Sequence, residues 1–551
     1  MSPPTPTPPL TLTSLVGLAL RTRVARRVRT LKDERYWRDH TARLQHGTLR
    51  SLLVRGAPTR FGRAHHFGKI AQIADPHDRL RAYREHVPVA DWYAFRDDIR
   101  DMREHGVPDV LWPGKVELFA QTSGTTAGDK FIPVSREMLR SNFLASLDIF
   151  AHLSAQGLSI PRLTGGRCLF LGGSTDLDVN EHGVKTGDLS ALVTPLIRWP
   201  ISRIYSPGPD IALMSDWPAK IEAMADLCVN QDIRFISGMP SWSLLLMERV
   251  VEKARELGRD AHCARDVWPN LMVFVHGGVR YDPFQPRVSQ VYSGDKHVDI
   301  PHRLELYPAS EGFLAIQDRP GQRGLRLLSD GGNFFEFVPL EQIDHDNPEA
   351  FTADRVEKGQ RYVVVMTTCA GLWRYVLGDV VEFDTIPAGP DGRGGEGPAR
   401  LRIVGRHKHF INAFGENIIV EHIEQAVASA AQATGLSVGE FTAAPIYPEP
   451  GRRAGLELAI EIGEPGGDLD AFARAFDEAI KAVNVDYTTK RSDDLGMGPP
   501  TITPMPLGAF HRWLESRGKL GGQHKCPRCA NGREIIEGVL AAAREAAGAS
   551  V

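Results

Sequence analysis

The chain has 551 residues, of which 42% are hydrophobic and 24% charged, and its formal net charge is −3. This composition excludes a disordered chain, a collagen-like repeat and a coiled-coil rod. The near balance of charge gives no general electrostatic reason to bind nucleic acid or an anionic membrane. At about 150 residues per domain, the length suggests three or four average domains, or one large domain and a smaller one.

The first segment, from about residue 11 to 105, has a helical pattern. Its first helix is mildly apolar over residues 10–20 and then basic, through Arg21, Arg23, Arg26, Arg27 and Arg29. A secretory signal carries its positive charge before the apolar stretch, so we expect an amphipathic helix with a solvated basic face. Contact with a membrane surface or a polyanion is the alternative. Because no run approaches the ~18 apolar residues of a membrane span, we expect a soluble, cytoplasmic protein without integral membrane association.

Short apolar runs at 116–119, 168–171, 233–236 and 271–275 read as buried strands, and helical patterns at 219–231 and 241–257 separate some of them. Strands that alternate with helices predict a layered α/β architecture with parallel pairing. After about residue 325 the chain becomes rich in strands, and beyond residue 405 a compact α+β segment follows. We therefore predict an extension over 1–44, a large layered α/β N-terminal domain over 45–404 and a smaller α+β C-terminal domain over 405–551.

The six cysteines are few and scattered, which is typical of a reducing, intracellular setting. Only Cys526 and Cys529 form a C-x-x-C pair. A zinc ribbon needs a second such pair, and the sequence has none. Two small residues that flank a Lys-x-Pro-Arg segment are the simpler interpretation, so we predict no metal site at the cysteines.

The strongest chemical signal is the segment 121–130, Gln-Thr-Ser-Gly-Thr-Thr-Ala-Gly-Asp-Lys, directly after the strand predicted at 116–119. Glycines let a backbone approach a ligand, hydroxyls donate hydrogen bonds and a lysine supplies a point charge, which together suit a polyphosphate. The spacing is not that of a Walker A loop. A polar glycine-rich turn is the alternative interpretation.

Three further segments carry weaker signals. Residues 307–312, Tyr-Pro-Ala-Ser-Glu-Gly, follow a short strand predicted at 303–306 and could stack a base, hold a phosphate and bind Mg²⁺. In 373–379, Trp-Arg-Tyr-Val-Leu-Gly-Asp, a strand-end aspartate could accept both ribose hydroxyls, although a salt-bridged hairpin is the better interpretation of this segment alone. The basic segment 405–418 lies at the predicted boundary and suits a hinge near phosphate, or else a solvated turn.

The four segments, in this order, resemble the motifs of the adenylate-forming superfamily of acyl-CoA synthetases, peptide-synthetase adenylation domains and luciferases. Within it, the details look like the auxin-responsive acyl-acid amido synthetases, the Gretchen Hagen family. The resemblance runs from about residue 45 to 530 and rests on Thr59-x-Phe61-Gly62, Ser123-Gly124-Thr125, Ile236-x-Gly238-x-Pro240-x-Trp242, Phe335-Glu336-Phe337-x-Pro339, Gly371-Leu372-Trp373-Arg374-Tyr375, Asn484-x-x-Tyr487 and Lys525-x-Pro527-Arg528.

The resemblance implies an ATP site with bound Mg²⁺. The residues it implies for the ATP phosphates are Ser123, Gly124, Thr125, Thr126, Gly128 and Lys130. The residues it implies for the adenine are Gly277, Gly278 and Val279. Thr122 and Thr126 stand where plant members often carry serine, which leaves the chemistry unchanged.

The resemblance also implies roles around the reacting phosphate. Tyr307 would flank the nucleotide and acyl pocket, Ser310 would contact the α-phosphate and Glu311 would ligate Mg²⁺. Asp379 would bind the ribose hydroxyls, with Arg406 nearby. Lys525 would be delivered by the C-terminal domain, acting as a mobile lid, to neutralise charge at the α-phosphate. Lys525, Lys130 and Glu311 are thus the expected catalytic residues.

The implied reaction has two steps: a small carboxylic acid and ATP give an acyl-adenylate and pyrophosphate, and an amine, expected to be an amino acid, then takes the acyl group. Charge neutralisation and positioning suffice, so no cysteine or serine nucleophile is expected. The alternatives are an acyl-CoA ligase of the same superfamily and a non-catalytic protein that binds a carboxylate or a nucleotide. Leu171, Met239, Trp242 and Tyr307 suggest a pocket for an aryl or alkyl acid, although core packing explains them equally well.

Overall fold

The computed structural model describes most of the residues of the chain. The described ranges are 7–123, 129–172, 177–194, 197, 199, 201–214, 216–278, 281–282, 284–389, 394–407, 410–411, 418–446, 455–463, 467–484, 487–488, 491, 497–517, 525–530 and 532–548. None of the helices within these ranges is long and apolar enough to cross a bilayer.

The N-terminal segment is helical, as predicted. Its helices are α1 (Ser14–Lys32), α2 (Glu34–Gly56), α3 (Arg60–Ala64), α4 (Phe67–Gln72), α5 (Pro76–His86) and α6 (Trp92–Glu104). Polar side chains fix several starts: the Asp33 carboxylate accepts the Tyr36 amide at 3.1 Å, and Asp75 accepts the amides of His77 and Asp78 at 2.8 and 2.9 Å. Such caps satisfy amides that have no partner inside the helix.

The middle of the chain alternates strands and helices. The strands are β1 (Leu118–Ser123), β2 (Asp129–Pro133), β3 (Arg167–Phe170), β4 (Asp178–Val179), β5 (Lys185–Gly187), β6 (Tyr205–Ser206), β7 (Ile233–Ser237), β8 (Val273–Gly277) and β9 (His302–Ala309). The helices are α7 (Arg136–Ala155), α8 (Ile160–Leu163), α9 (Leu189–Val193), α10 (Pro209–Ala212), α11 (Trp217–Cys228), α12 (Pro240–Glu256), α13 (Ala264–Val267) and α14 (Gln285–Ser293), with a 3₁₀ turn at Ile201–Arg203.

The chain is rich in strands after residue 325, as predicted, and one further strand, β10 (Gly312–Gln317), precedes that point. The strands that follow β10 are β11 (Leu325–Leu327), β12 (Phe334–Pro339), β13 (Tyr362–Thr367), β14 (Tyr375–Thr385) and β15 (Arg400–Arg406), with a 3₁₀ turn at Leu340–Gln342. β12 and β13 are buried at every position, which explains why they read as continuous apolar runs.

Within the described residues, eleven strands form one sheet in the order β12-β13-β14-β15-β11-β10-β9-β8-β7-β3-β6. The β9-β8-β7-β3-β6 end is parallel, as the alternation of strands and helices predicts, and the β12-β13-β14 end is antiparallel. A separate four-stranded sheet, β2-β1-β5-β4, carries the predicted phosphate segment. The fold class is therefore α/β with a mixed sheet.

The C-terminal elements are β16 (Phe410–Ile411), β17 (Ile418–Ile419), α15 (Val420–Thr434), β18 (Val438–Ile446), β19 (Gly455–Ile462), α16 (Leu469–Val483), β20 (Thr501–Met505), α17 (Ala509–Ser516) and α18 (Glu534–Gly548). The β18-β19-β20 sheet packs against α15 and α16 around a core that includes Phe441, Leu458 and Phe476. The chain divides into two compact units, one of 1–279, 288–403 and 521–523, and one of 280–287, 404–520 and 524–551.

Candidate active site

The predicted phosphate segment forms an antiparallel hairpin of β1 and β2. Thr122 pairs with Lys130 and Ser123 with Asp129, so the two strands bracket residues 124–128. Gly124, Thr125, Thr126 and Gly128 lie outside the described residues, and only the backbone is described for Ser123. Lys130 lies on β2 and is half-buried. The hairpin therefore sets the two ends of the loop that we expect to hold phosphate.

Four neighbouring parallel strands end at one edge of the large sheet. β3, β7, β8 and β9 run side by side, and their carboxyl ends lead to Leu171, Met239, Gly277 and Tyr307. Ligands of open α/β sheets bind in the crevice outside the carboxyl ends of the strands. The candidate acyl-pocket and nucleotide residues thus share the edge where such a fold binds its ligands.

Gly277 and Gly278 follow β8 where the backbone needs glycine. A Cβ on Gly277 would lie 2.6 Å from the carbonyl oxygen of Leu306 on β9, and Gly278 has a φ of 83°, in the left-handed region. A larger residue at either position would push the strands apart or strain the turn. Val279, which the resemblance places with them, lies outside the described residues.

Tyr307 and Asp379 meet across the sheet. The buried Tyr307 hydroxyl donates to Asp379 Oδ2 at 2.6 Å, although 72 residues separate the two in sequence. A carboxylate that accepts one phenol hydrogen bond keeps further lone pairs for ribose hydroxyls. The second and third chemical segments therefore belong to one site.

Two sequence predictions about these segments need correction. Asp379 is not at a strand end, because β14 already begins at Tyr375. Val365 pairs with Val376 but Val363 with Val380, so β14 carries extra residues there, and Gly378 in this bulge has a φ of 93°. Likewise, Tyr307 lies inside β9, which runs to Ala309 and not only to residue 306. A bulge redirects a side chain without ending the strand.

Ser310 and Glu311 form the turn between β9 and β10. Both are only 7% exposed, and the Tyr375 hydroxyl donates to Glu311 Oε1 at 3.1 Å. Gly312 follows with a φ of 150°, and a Cβ there would lie 2.5 Å from Asn333 Nδ2. The carboxylate of Glu311 is therefore held in one place beside a hydroxyl. One carboxylate together with phosphate oxygens is an ordinary donor set for Mg²⁺, so these residues fit that ion.

A buried ion-pair cluster lies next to Tyr375 in the chain, and the motifs that contain Glu336 and Arg374 do not show that these two residues pair. Glu336 on β12 accepts from Arg374 Nε at 3.0 Å and from Arg84 Nε at 2.8 Å, and Arg374 also donates to the Val87 carbonyl at 2.8 Å. Burial raises the pKa of Glu336, but Arg374 and Arg84 lower it by more, so the pKa lies below its usual range. Arg374 has a φ of 46°, an unfavourable backbone conformation for a residue other than glycine. The hydrogen bonds of its buried side chain hold it there. The Phe-Glu-Phe and Trp-Arg-Tyr motifs thus meet in one buried charge cluster.

Several other motifs of the resemblance serve packing. Trp373 is fully buried, donates from its indole nitrogen to the Leu111 carbonyl at 3.1 Å and stacks on Phe61 at 6.2 Å. Thr59 caps α3 by accepting the Gly62 amide, and a Cβ on Gly62 would lie 2.0 Å from the carbonyl oxygen of Gly56. These contacts fix the helical segment against the sheet.

The buried ammonium group of Lys220 fixes the backbone at the end of β3 by hydrogen bonds. Lys220 on α11 donates to the carbonyls of Ala212 at 2.7 Å and Gly172 at 3.3 Å. Burial lowers the pKa of Lys220 to about 8, and burial raises the pKa of the nearby Asp188 to about 6. Neither residue stands in a recognisable motif, so this pair could not be predicted from the sequence. Its effect is to fix the backbone just after Leu171.

Lys525 lies in the C-terminal unit and is exposed. The residues after it are anchored to β18: the Thr442 hydroxyl donates to the Pro527 carbonyl at 2.7 Å, and the Ala443 amide donates to the Arg528 carbonyl at 2.9 Å. Arg528 also pairs with Glu440 at 2.7 Å. The Lys-x-Pro-Arg segment is therefore a fixed support for an exposed lysine.

Two further predicted features belong to the same unit. Asn484 accepts the Tyr487 amide at 2.7 Å, and the Tyr487 hydroxyl donates to Asp477 at 2.7 Å, so this motif ties the end of α16 together. Arg406 ends β15, where only its backbone is described, and most of the basic segment 405–418 lies outside the described residues. The structure leaves the predicted roles of Arg406 and the hinge as predictions.

The cysteine thiols lie in buried environments that disfavour the thiolate. All six are free and buried, and burial raises the pKa of Cys168, Cys228 and Cys369 to about 12. A thiol becomes a nucleophile only as its thiolate, which these environments disfavour. Within the described residues, no cluster of three or more histidine, cysteine or acidic side chains could hold a metal ion.

Comparison with known protein families finds matches over most of the chain. Three family models match: the GH3 family N-terminal domain over 35–203, the central domain over 326–389 and the C-terminal domain over 421–534. A rice protein (Oryza sativa subsp. indica) named indole-3-acetic acid-amido synthetase GH3.8 is 28% identical over 533 residues, covering 83% of this chain and 84% of its own.

Solved structures show the same fold. The acyl acid amido synthetase GH3.15 superposes with a TM-score of 0.73 at 18% identity, over 93% of this chain and 95% of its own. A 2-hydroxyisobutyryl-CoA ligase, solved in its postadenylation state, superposes with a TM-score of 0.56 at 15% identity, over 91% of both chains. The chain belongs to the GH3 family, whose members are ATP-dependent, AMP-forming acid–amino acid ligases of the adenylate-forming superfamily.

Proposed function

We propose that this chain joins a small aryl or alkyl carboxylic acid to an amino acid, with the nucleotide held at the sheet edge of Tyr307, Glu311 and Asp379. The observation that carries the proposal is the pair of hydrogen bonds that joins two distant segments there, Tyr307 to Asp379 at 2.6 Å and Tyr375 to Glu311 at 3.1 Å. A packing role alone does not require the Glu311 carboxylate to be buried just beyond the carboxyl end of β9, or a second carboxylate, that of Asp379, to be hydrogen-bonded to Tyr307 of that strand, whereas a nucleotide site uses both groups.

In the first step, a carboxylate oxygen of the acid attacks the α-phosphorus of ATP, the bond from that phosphorus to the bridging oxygen breaks, and pyrophosphate leaves. Lys130 and Lys525 supply positive charge at the phosphates, and Asp379 holds the ribose so that the reacting atoms stay in line. Mg²⁺, held by Glu311 and phosphate oxygens, would supply additional charge neutralisation.

In the second step, the amine nitrogen of the acceptor attacks the acyl carbon of the mixed anhydride. The bond from the acyl carbon to the bridging oxygen breaks, AMP leaves with that oxygen, and the nitrogen loses a proton. AMP is a good leaving group, so the acceptor needs access and orientation more than activation. A C-terminal lid that delivers Lys525 for the first step and withdraws for the second meets both needs.

The acid is best sought among aryl and alkyl acids. Leu171 and Trp242, which lie near the ends of β3 and β7, are buried and apolar. The rice relative is named for indole-3-acetic acid, which belongs to that class. We further propose a cytoplasmic location, because all six cysteines are free.

The test is a screen of carboxylic acids against amino acids for acid-dependent release of pyrophosphate, with the product identified by mass. We expect release with a subset of aryl or alkyl acids and an amide product with an amino acid. A thioester formed with coenzyme A but no amide would make the chain an acyl-CoA ligase instead. Absence of release across a broad acid panel would favour a non-catalytic binding protein.

A further inference from the structure

The N-terminal helix exposes leucines beside a row of arginines. Leu10 is 61% exposed, Leu12 87%, Leu15 65% and Leu18 44%. Arg21, Arg26, Arg29 and Lys32 continue the same surface along α1 and are exposed too. We define these eight residues as the leucine–arginine face.

The core does not need these leucines, because α1 already buries a different set of side chains. Val24 and Leu31 pack against Leu147 and Ala151 of α7, and a Cβ on Gly17 would lie 2.7 Å from Pro161 Cα. The helix is therefore apolar on both its inner and outer surfaces near its start. Exposed apolar side chains in a group mark an interaction surface more often than isolated ones do.

The chain ahead of α1 is fixed to the body of the protein. Arg162 Nη1 donates to the Pro8 carbonyl at 2.7 Å, Arg234 Nη1 donates to the Pro9 carbonyl at 2.9 Å, and the Thr11 hydroxyl donates to the Gly165 carbonyl at 2.6 Å. Leu10 and Leu12 are thus held outward on an anchored backbone. An anchored surface loses little conformational entropy when it binds.

The charge on α1 has one sign. The helix carries six cations and no acidic residue, whereas the whole chain carries −3. Arg27 is engaged with Asp148 at 2.5 Å and with Asp330, but Arg21, Arg26 and Arg29 form no ion pair with any residue that the structure describes. Their charge is therefore available to an anionic surface.

The neighbouring helix α7 extends the same surface. Phe143 and Leu144 are 44% and 47% exposed, and Arg23 of α1 lies over the Phe143 ring at 5.9 Å. Arg140, one helical turn before Phe143, is exposed as well. Apolar tips among cations thus continue beyond α1, so the surface is broader than one helix.

We propose that the leucine–arginine face docks this protein on an anionic lipid surface. Leucine tips enter the boundary between headgroups and acyl chains, while arginines pair with lipid phosphates, which is how amphipathic helices lie on membranes. A folded acidic protein would need a shaped groove around the leucines, and nucleic acid would favour aromatic side chains for stacking. The assignment is independent of the proposed reaction.

The test is sedimentation of the full-length protein with vesicles of phosphatidylcholine alone or mixed with phosphatidylglycerol. We expect binding to the anionic vesicles that weakens with salt. Arg26→Gln with Arg29→Gln should weaken binding about fivefold per residue, roughly 25-fold together. Leu12→Ser with Leu15→Ser should weaken it roughly tenfold or more.

The control for the leucine variant is Leu257→Ser with Leu507→Ser, because both leucines are 55% exposed and lie outside the leucine–arginine face. The control for the arginine variant is Arg96→Gln with Arg100→Gln on α6. Both control variants should bind vesicles like the wild type. Each variant is checked for an unchanged melting temperature. Failure of the wild type to sediment with anionic vesicles would overturn the proposal. Full binding of the leucine variant to anionic vesicles would also overturn the proposal. If polyglutamate then competes with the vesicles for the protein, the surface is a general polyanion site.

Discussion

In the proposed site, Asp379 would serve two partners, the Tyr307 hydroxyl and the ribose of ATP. Its Oδ2 already accepts the Tyr307 hydroxyl at 2.6 Å, and the bulge at Gly378 turns the residue out of the regular strand pattern. The remaining lone pairs can accept ribose hydroxyls only while the side chain stays charged and in place. The tyrosine is therefore a positioning residue for the aspartate.

Asp379→Asn should weaken ATP binding. Loss of a charge-assisted hydrogen bond costs roughly 1.5–3 kcal/mol, which is about one to two decades in the dissociation constant. Calorimetric titration of ATP measures this directly. Asp384→Asn, on the same strand but paired with Arg402 at 3.4 Å, is the matched control and should bind ATP normally. Wild-type affinity in the Asp379 variant would leave only a structural role for that carboxylate.

Glu336→Gln should destabilise the fold, because two arginines would lose their buried counter-charge. Breaking a buried pair by removing one partner costs about 3–5 kcal/mol. Glu341→Gln, on the surface, should change the unfolding free energy by less than about 0.5 kcal/mol. Chemical denaturation compares the variants, and equal midpoints would contradict the account of this cluster.

The same residue predicts a dependence on pH. The pKa of Glu336 is lowered in the folded protein, so its contribution to stability is present above the range in which a free glutamate titrates. That contribution is lost as the pH falls below about 4. The difference in unfolding free energy between wild type and Glu336→Gln should therefore shrink on acidification. A constant difference down to low pH would mean that the charge of Glu336 does not matter.

At the scale of elements, most strands and helices could be predicted from the sequence because their burial gives a clear pattern. β7 and β8 are almost wholly buried, and α11 and α12 end within three residues of their predicted ends. The bulge in β14 could not be predicted, because its extra residues are defined by pairing with β13. The pattern of apolar and polar residues along β14 does not show which of its residues pair with which residues of β13.

The candidate site divides in the same way. Glu311, Asp379, Tyr307 and Tyr375 all stand in motifs that the sequence shows, but which tyrosine bonds to which carboxylate could not be predicted. Tyr375 and Glu311 are 64 residues apart, and Arg374 and Glu336 are 38 apart. Only the folded sheet brings such pairs together. The anchoring of Lys525 through Thr442 is a further long-range contact that no local spacing predicts.

Glu461 on β19 predicts how the C-terminal sheet responds to pH. Burial raises its pKa to about 7, and the carboxylate lies against the amides of Phe510 and Glu440 at 3.3 and 3.4 Å. A raised pKa means that the folded protein holds the proton more tightly, so stability from this group is lost as the pH rises through about 7.

Thermal unfolding between pH 5 and 8 tests this. Glu461→Gln should lose less stability over that interval than the wild type does, because the amide cannot ionise. Glu515→Gln, exposed on α17, is the control and should follow the wild-type curve. Parallel curves for all three proteins would mean that folding does not raise the pKa of Glu461.

At the scale of the whole molecule, the proposed mechanism requires the C-terminal unit to contribute more to adenylation than to transfer of the acyl group to the amine. The residues after Lys525 are hydrogen-bonded to β18 of the same unit, so we expect the lysine to move together with that unit. Adenylation develops negative charge at the α-phosphate, whereas aminolysis expels AMP from an anhydride already formed. A group that acts in one transition state should affect one half-reaction.

Lys525→Ala should therefore abolish most of the acid-dependent pyrophosphate release while largely sparing transfer from a synthetic acyl-adenylate to the amine. Lys358→Ala, a surface lysine paired with Glu396 at 2.7 Å, is the control for both assays. Equal losses in the two half-reactions would mean that Lys525 is structural, or that the unit does not move between the steps.

The most direct measurement follows an oxygen label from the acid. When both carboxylate oxygens are ¹⁸O, attack on the α-phosphorus and later cleavage of the acyl carbon–oxygen bond place one label in AMP and leave one in the amide. Mass spectrometry of the products of a single reaction should find one ¹⁸O in each. Label in inorganic phosphate, or AMP without label while the amide forms, would contradict an acyl-adenylate intermediate and with it the proposed function.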